Sequence, residues 1–334
     1  MTQNLYDVVI FHRNCSDGTC GYWVARKYLQ EKNHLFNAIA MHAGENLTIP
    51  NSTIENKRIL YIDVCPSFEF LQEISKLAKD IMILDHHTSN FITMESIKNS
   101  DMMNVKYELD IKLSGCQLAW NHFYPDLSRP WFLEYISDRD LWKFELENSK
   151  EINEALHYKN LINVESMDMI ICYTMDEIQT LVDLGKIILD ITNKTIHYAL
   201  RECVEGIFLV DEKIYNVWFG TIGRNLRSEF GNQMIQKRMM NGNLPDFSVV
   251  YSYQQKLGLW FISLRGSENS PDLSIIAKHF GGEELEKRNN DFFYLFIETI
   301  LLLLCMKNTI KWIFIFKSRG FFVSSSTKMF CNYR

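Results

Sequence analysis

Asp85, His86 and His87 are three consecutive metal-competent residues, and they follow directly on the apolar run Ile81-Met82-Ile83-Leu84. A short apolar run of this kind reads as a strand buried on both faces. Burying an acid and two imidazoles at its end without partners costs on the order of several kcal/mol. The pattern therefore points to a bound cation at the mouth of the strand rather than to a surface turn. Two other runs end in the same way. Val8-Val9-Ile10-Phe11 leads to His12 and then to Asp17-Gly18, and Ile59-Leu60-Tyr61-Ile62 is closed by Asp63. Taken singly, Asp17 or Asp63 reads equally well as a helix cap or turn former. Three such strand ends point to one shared site.

Carboxylates mixed with imidazoles suit manganese or magnesium, and imidazole also admits zinc, iron or cobalt. The donors are too many for a single ion that keeps open positions. A pair of ions about 3.5–4 Å apart accounts for them better, and such a pair clamps a phosphoryl group, acidifies a water and stabilises a leaving oxygen. Hydrolysis of a phosphoester or phosphoanhydride is the chemistry to expect. Three other places could contribute. Asp138-Arg139-Asp140 is either a salt-bridged corner or a further carboxylate for the ions. Ser114 is either the N-cap of the helix it opens or part of a helix N-terminus that faces an anion. Arg265 is either a surface ion-pair partner or a fork of donors that grips a phosphate.

Strand, glycine-containing turn and helix recur through the first half, with an amphipathic face at Tyr22, Trp23, Ala25, Arg26, Tyr28 and Leu29. This is a βαβ pattern, and an open parallel sheet binds ligands at the carboxyl ends of its strands. The expected fold class is α/β: a parallel-sheet N-terminal domain and a smaller α/β C-terminal domain. Residues 1–145 read as the metal-binding domain and 146–205 as a helical connector. Residues 206–282 read as a substrate domain whose strands are Ile207–Val210, Tyr215–Phe219, Phe247–Tyr251 and Leu259–Leu264, with a helix from Asn225 to Met240 between them.

The chain has 334 residues, enough for two domains, and a net charge of −6, which leaves no general basic footprint for nucleic acid. Its eight cysteines include no CxxC pair, which argues against a zinc ribbon and suits a reduced, cytoplasmic chain. Met1–Tyr6 lacks a signal-peptide core. The tail, 283–334, is atypical. Phe292–Met306 carries a single acid, Glu298, and is shorter than the roughly 20 residues of a membrane span. Lys307, Asn308 and Lys311 then interrupt before Trp312–Phe316. Either a frame change in the gene has replaced an ordinary C-terminus, or the tail anchors the chain to a membrane; no stable membrane partner is expected.

Asp85-His86-His87 after a buried strand, with His12, Asp17-Gly18, Asp63 and Asp138 in matching order, resembles the DHH phosphoesterase superfamily, particularly its nanoRNase and RecJ-type members. The resemblance covers roughly residues 5–145. It implies that His12 and Asp17 hold metal, that Asp63 bridges two ions, usually manganese, and that Asp85 is a ligand. One of His86 and His87 would be a ligand and the other would face the phosphate, and Asp138 would complete the second ion. A second match, Leu264-Arg265-Gly266-Ser267 followed by Asp272–Gly282, resembles the DHH-associated substrate domain and implies a substrate role for Arg265. Short oligonucleotides or nucleotide phosphodiesters are the substrates this implies. There are two departures. Cys15 stands where many members carry the first acid of Asp-x-Asp. Glu283-Glu284 follows Gly281-Gly282 where a Gly-Gly-His element is expected. Both leave room for a catalytically impaired nucleotide-binding protein.

Overall fold

The computed structural model describes residues 5–42, 49–210, 213–237, 244–255, 259–279, 283–285, 292–297, 299–304 and 312–317. The chain divides by its contacts into two units, 1–194 and 195–334.

The first unit is a parallel sheet between two layers of helices. Its strands are β1 (Val8–His12), β2 (Asn37–Met41), β3 (Arg58–Ile62), β4 (Asp80–Asp85) and β5 (Val105–Leu109), in the order β2-β1-β3-β4-β5 with every neighbouring pair parallel. The helices are α1 (Ser16–Glu31), α2 (Asn51–Ile54), α3 (Phe68–Ile74), α4 (Phe91–Lys98), α5 (Gly115–Phe123), α6 (Trp131–Asp140), α7 (Ser149–Tyr158), α8 (Val164–Ile170) and α9 (Met175–Arg201). The central strands are apolar throughout because each is covered on both faces. Val9, Leu60, Ile62 and Leu84 point into a core completed by Trp23, Leu29, Trp120 and Phe132. Their alternates Val8, Ile10, Ile59, Tyr61, Ile81 and Ile83 meet Leu71, Ile74, Met94 and Ile97 of α3 and α4.

The two edge strands are largely half-exposed, and only Met41 and Val105 on them are buried. The sequence reading assigned neither. The strand order reverses between β1 and β3, and a doubly wound sheet opens a ligand crevice at that point. His12 ends β1 and Asp63 follows β3, so both lie at the reversal.

The segment read as a helical connector is helical, and most of it is built into this first unit. Ile152, Leu156, Met167, Ile170 and Leu181 belong to the same core as Trp23. The buried Trp23 indole donates to Asp168 at 2.7 Å. The division between units falls within α9, after Lys194.

The second unit is a mixed sheet of eight strands, in the order β10-β11-β9-β8-β7-β6-β13-β12. They are β6 (Val204–Val210), β7 (Lys213–Gly220), β8 (Phe247–Gln254), β9 (Leu259–Arg265), β10 (Glu283–Leu285), β11 (Phe292–Ile297), β12 (Thr299–Leu304) and β13 (Trp312–Lys317), with helices α10 (Arg227–Lys237) and α11 (Leu273–His279). Phe208, Phe219, Phe247, Ile262 and Leu264 pack with Leu273 and Ile276. The apolar tail enters this sheet: β11 pairs antiparallel with β9, and β13 pairs parallel with β6. Among the described residues no helix is long and apolar enough to cross a membrane. Gly281-Gly282, Glu298 and the break at Lys307, Asn308 and Lys311 lie outside the described residues.

Candidate metal centre

Asp63 is the centre of the site. It is 1% exposed and takes a left-handed backbone conformation, φ 59°. That conformation is uncommon outside glycine and tolerated best by Asp and Asn. Its Oδ2 is 3.2 Å from His12 Nδ1, its Oδ1 is 3.0 Å from His86 Nε2, and His87 Nε2 lies 3.8 Å from the same Oδ1. Around it the side chains form two groups of three whose donor atoms all lie within 4.8 Å of one another: His12, Asp63 and His87, and Asp17, His86 and Asp140.

Asp17 is fully buried in the first turn of α1. Its two carboxylate oxygens accept the backbone N–H groups of Gly115 and Cys116 at the start of α5. The N-terminus of α5 therefore does hold an anion, and that anion is Asp17. Ser114, expected as a substrate contact, lies beside these amides and is fully buried. Ser114 is the N-cap of α5, closed by the reciprocal bond from its N–H to Gln117, and its hydroxyl lies 3.3 Å from Cys116 Sγ. The fit is close. A Cβ on Gly115 would stand 2.6 Å from Asp63 Cβ, and one on Gly18 would stand 2.5 Å from the His12 carbonyl oxygen. Gly115→Ala is expected to destabilise the chain by about 1–3 kcal/mol through this overpacking and to weaken metal uptake with it. Thermal unfolding and metal content of the purified variant check both, and unchanged values would show that the contact can relax.

Asp85, expected as a ligand, stands behind His87 and outside both groups of three. It is fully buried, and its carboxylate accepts the His86 N–H at 2.8 Å, the His87 ring at Nδ1 and the Asn90 amide. It belongs to neither group of three. An acceptor at Nδ1 fixes the tautomer and turns Nε2 toward the site, the usual arrangement behind a metal-facing histidine. His86 and His87 therefore divide between the two groups.

Asp138, expected to complete the second ion, stands outside both groups of three, and Asp140 stands in one of them. The Asp138 carboxylate accepts the N–H groups of Glu145 and Leu146 at 3.0 and 3.3 Å and so holds the loop after α6. Asp140 Oδ2 is 3.6 Å from His86 Nε2. The residue between them, Arg139, pairs with Glu154 at 2.7 Å. Two residues on a helix are about 200° apart, so only one of the two acids can face the centre. The Asp-Arg-Asp run contained both, and periodicity alone did not choose.

The charges in the site oppose one another. Burial raises Asp17, the negative charges of Asp63 and Asp140 raise it further, and its pKa stands at about 7 against the pull of His86. Burial also lifts Asp85, partly offset by His86, to about 6. Burial disfavours the His86 imidazolium, yet the hydrogen bond to Asp63 and the charges of Asp140, Asp63 and Asp17 outweigh it and raise its pKa to about 9. His12 is raised by Asp63 in the same way, also against burial. Asp63 itself is held well below the carboxylate range: burial works against this, but the hydrogen bonds from His12 and His86 win. Cys15 is the N-cap residue of α1, with no bond from its side chain to the helix. Burial and then the charges of Asp63, Asp140 and Asp17 push its thiol up and keep it protonated. Three carboxylates and three imidazoles gathered at one point form a donor set that fits divalent cations of the manganese, magnesium or zinc kind.

Arg265 lies in the second unit. Its side chain is fully buried and donates to the Leu264 carbonyl and to Ser228 Oγ at 2.6 and 3.0 Å.

No family model matches the sequence. A curated protein, the uncharacterized protein R106 of Acanthamoeba polyphaga mimivirus, is 25% identical over 294 residues, which cover 83% of this chain. The chain spans only 65% of the length of that relative. Among solved structures, the pGpG-specific phosphodiesterase PggH from Vibrio cholerae is similar with a TM-score of 0.46 and 10% identity, over 86% of this chain and 92% of its own. An exopolyphosphatase-related protein from Bacteroides fragilis gives 0.47 and 12%, over 86% and 85%. RecJ from Thermus thermophilus, solved in complex with Mn2+, gives 0.43 and 12%, over 86% and 48%.

Proposed function

We propose that this chain is a metal-dependent phosphoesterase of the DHH type, which hydrolyses phosphodiester bonds of short oligonucleotides or nucleotides. The observation that carries the reading is the pair of three-donor groups that share the surroundings of Asp63. His12, Asp63 and His87 would hold one divalent ion, and Asp17, His86 and Asp140 the other, with Asp63 placed to serve both. Ions bound there would supply Lewis-acid polarisation of the phosphoryl group and a water acidified toward neutrality.

The chain's own residues do the rest. The amides of Gly115 and Cys116 fix Asp17, so its carboxylate needs no reorganisation when a cation arrives. Asp85, itself held by the Asn90 amide, fixes His87 through Nδ1, which leaves Nε2 as the atom that can hold a proton or a ligand beside Asp63. Such preorganised groups are worth more in a buried site than in water.

The experiment is turnover of a dinucleotide by the purified full chain with manganese, with magnesium and with chelator. Hydrolysis with manganese that stops with chelator and resumes on re-addition supports the reading. One observation favours a second reading, a catalytically impaired nucleotide-binding protein: the protonated Cys15 thiol where an acid is expected. Dinucleotide binding with no turnover at any metal would establish that reading and overturn the first.

A further inference from the structure

Helix α6 ends in a motif that ordinarily needs glycine. The Trp142 N–H donates to the Arg139 carbonyl and the Lys143 N–H to the Asp138 carbonyl, both at 2.9 Å. These two bonds define a helix terminus whose residue after the C-cap adopts the left-handed conformation, usually as Gly and sometimes as Asn. Here that residue is Trp142, at φ 55°, and Phe144 follows at φ 51°. Bulky side chains are outliers in this region. Such strain persists where the surroundings over-determine it, and it clusters at ligand sites.

The surroundings do hold this loop. The Asp138 carboxylate accepts Glu145 and Leu146 N–H, and Lys143 Nζ donates to the Lys112 carbonyl at 3.3 Å. The Trp142 and Phe144 rings meet edge-on, centroids 5.0 Å apart, and Lys150 Nζ stands 4.8 Å from the centre of the Phe144 ring. Both rings are partly exposed. Trp142 is two residues from Asp140, so their Cα atoms are no more than about 7–8 Å apart. An aromatic pair is thus held, against backbone preference, beginning two residues after a proposed metal donor.

We propose that Trp142, propped by Phe144, is a base-stacking platform, and that the substrate is a phosphodiester carrying a nucleobase rather than an inorganic polyphosphate. This rests on the phosphoesterase reading of the adjoining donors. Stacking of a base on an aromatic side chain strengthens binding by about tenfold or more.

The test is calorimetric binding of a dinucleotide, and of the abasic analogue with the same sugar-phosphate chain, to the full chain in calcium, so that affinity is read without turnover. The wild type is expected to favour the dinucleotide by about tenfold or more. In Trp142→Gly that ratio is expected to fall toward one, while the melting temperature does not fall, because glycine suits the left-handed position. Trp142→Phe, which keeps a ring, is expected to restore the ratio. Equal affinities in the wild type, a ratio kept in Trp142→Gly, or no measurable dinucleotide binding would each overturn the inference. Absence of turnover with manganese would instead count against the phosphoesterase reading and leave a measured base preference standing.

Discussion

Asp63→Asn is expected to empty the centre of metal and to lower phosphodiester turnover by about a thousandfold or more, since the ions supply several kcal/mol of transition-state stabilisation and each 1.36 kcal/mol is a factor of ten. The substitution isolates charge. Asparagine tolerates the left-handed backbone that Asp63 adopts and has nearly the same shape, so the loop after β3 should keep its course. What is lost is the negative charge that His12 and His86 both face. Metal content per chain, measured on protein purified in manganese, should fall from about two ions toward none. Unfolding temperature in chelator should stay near the wild-type value. A variant that kept its metal and most of its turnover would remove Asp63 from the centre of the site.

Manganese affinity is expected to rise with pH up to about 9 and then level off. The sign follows from what the metal-free site holds. Ligands bind metal deprotonated, so uptake expels protons. At pH 7 His86, with its pKa at about 9, is protonated, and Asp17, at about 7, is about half protonated. Between pH 7 and 9 the His86 proton alone makes affinity climb about tenfold per pH unit, and below pH 7 the Asp17 proton steepens the climb. Titration calorimetry at pH 7 in buffers of different ionisation enthalpy should therefore report more than one proton released per chain. Proton-free binding, or an affinity flat from pH 6 to 9, would mean that His86 and Asp17 are not ligands.

The sequence by itself determined the three central strands of the first unit's sheet and most of the residues gathered at its edge. The central strands are unbroken apolar runs, and such runs are informative because burial on both faces leaves no polar position to dilute them. Each run leads directly to its acid or imidazole, so His12, Asp17, Asp63, His86 and His87 could be named before any coordinate. The edge strands β2 and β5 escaped because β5 mixes polar and apolar residues and the apolar run of β2, Ala38–Met41, is half alanine, which strands disfavour.

Only the tertiary structure decided which nearby groups face the centre. Asp85 was indistinguishable from a ligand in sequence, and its demotion follows from the fold turning it behind His87, with Asn90 as its third partner. Asp140 replaced Asp138 because helix geometry sends residues two apart to different sides and the α6 terminus uses Asp138 to hold the following loop. Ser114 lost its proposed contact because α5 spends its N-terminal amides on Asp17, a residue 98 positions away in the chain. Each of these outcomes turns on which partner reaches a side chain from elsewhere in the fold, and local pattern cannot encode a partner that only folding brings within hydrogen-bond distance.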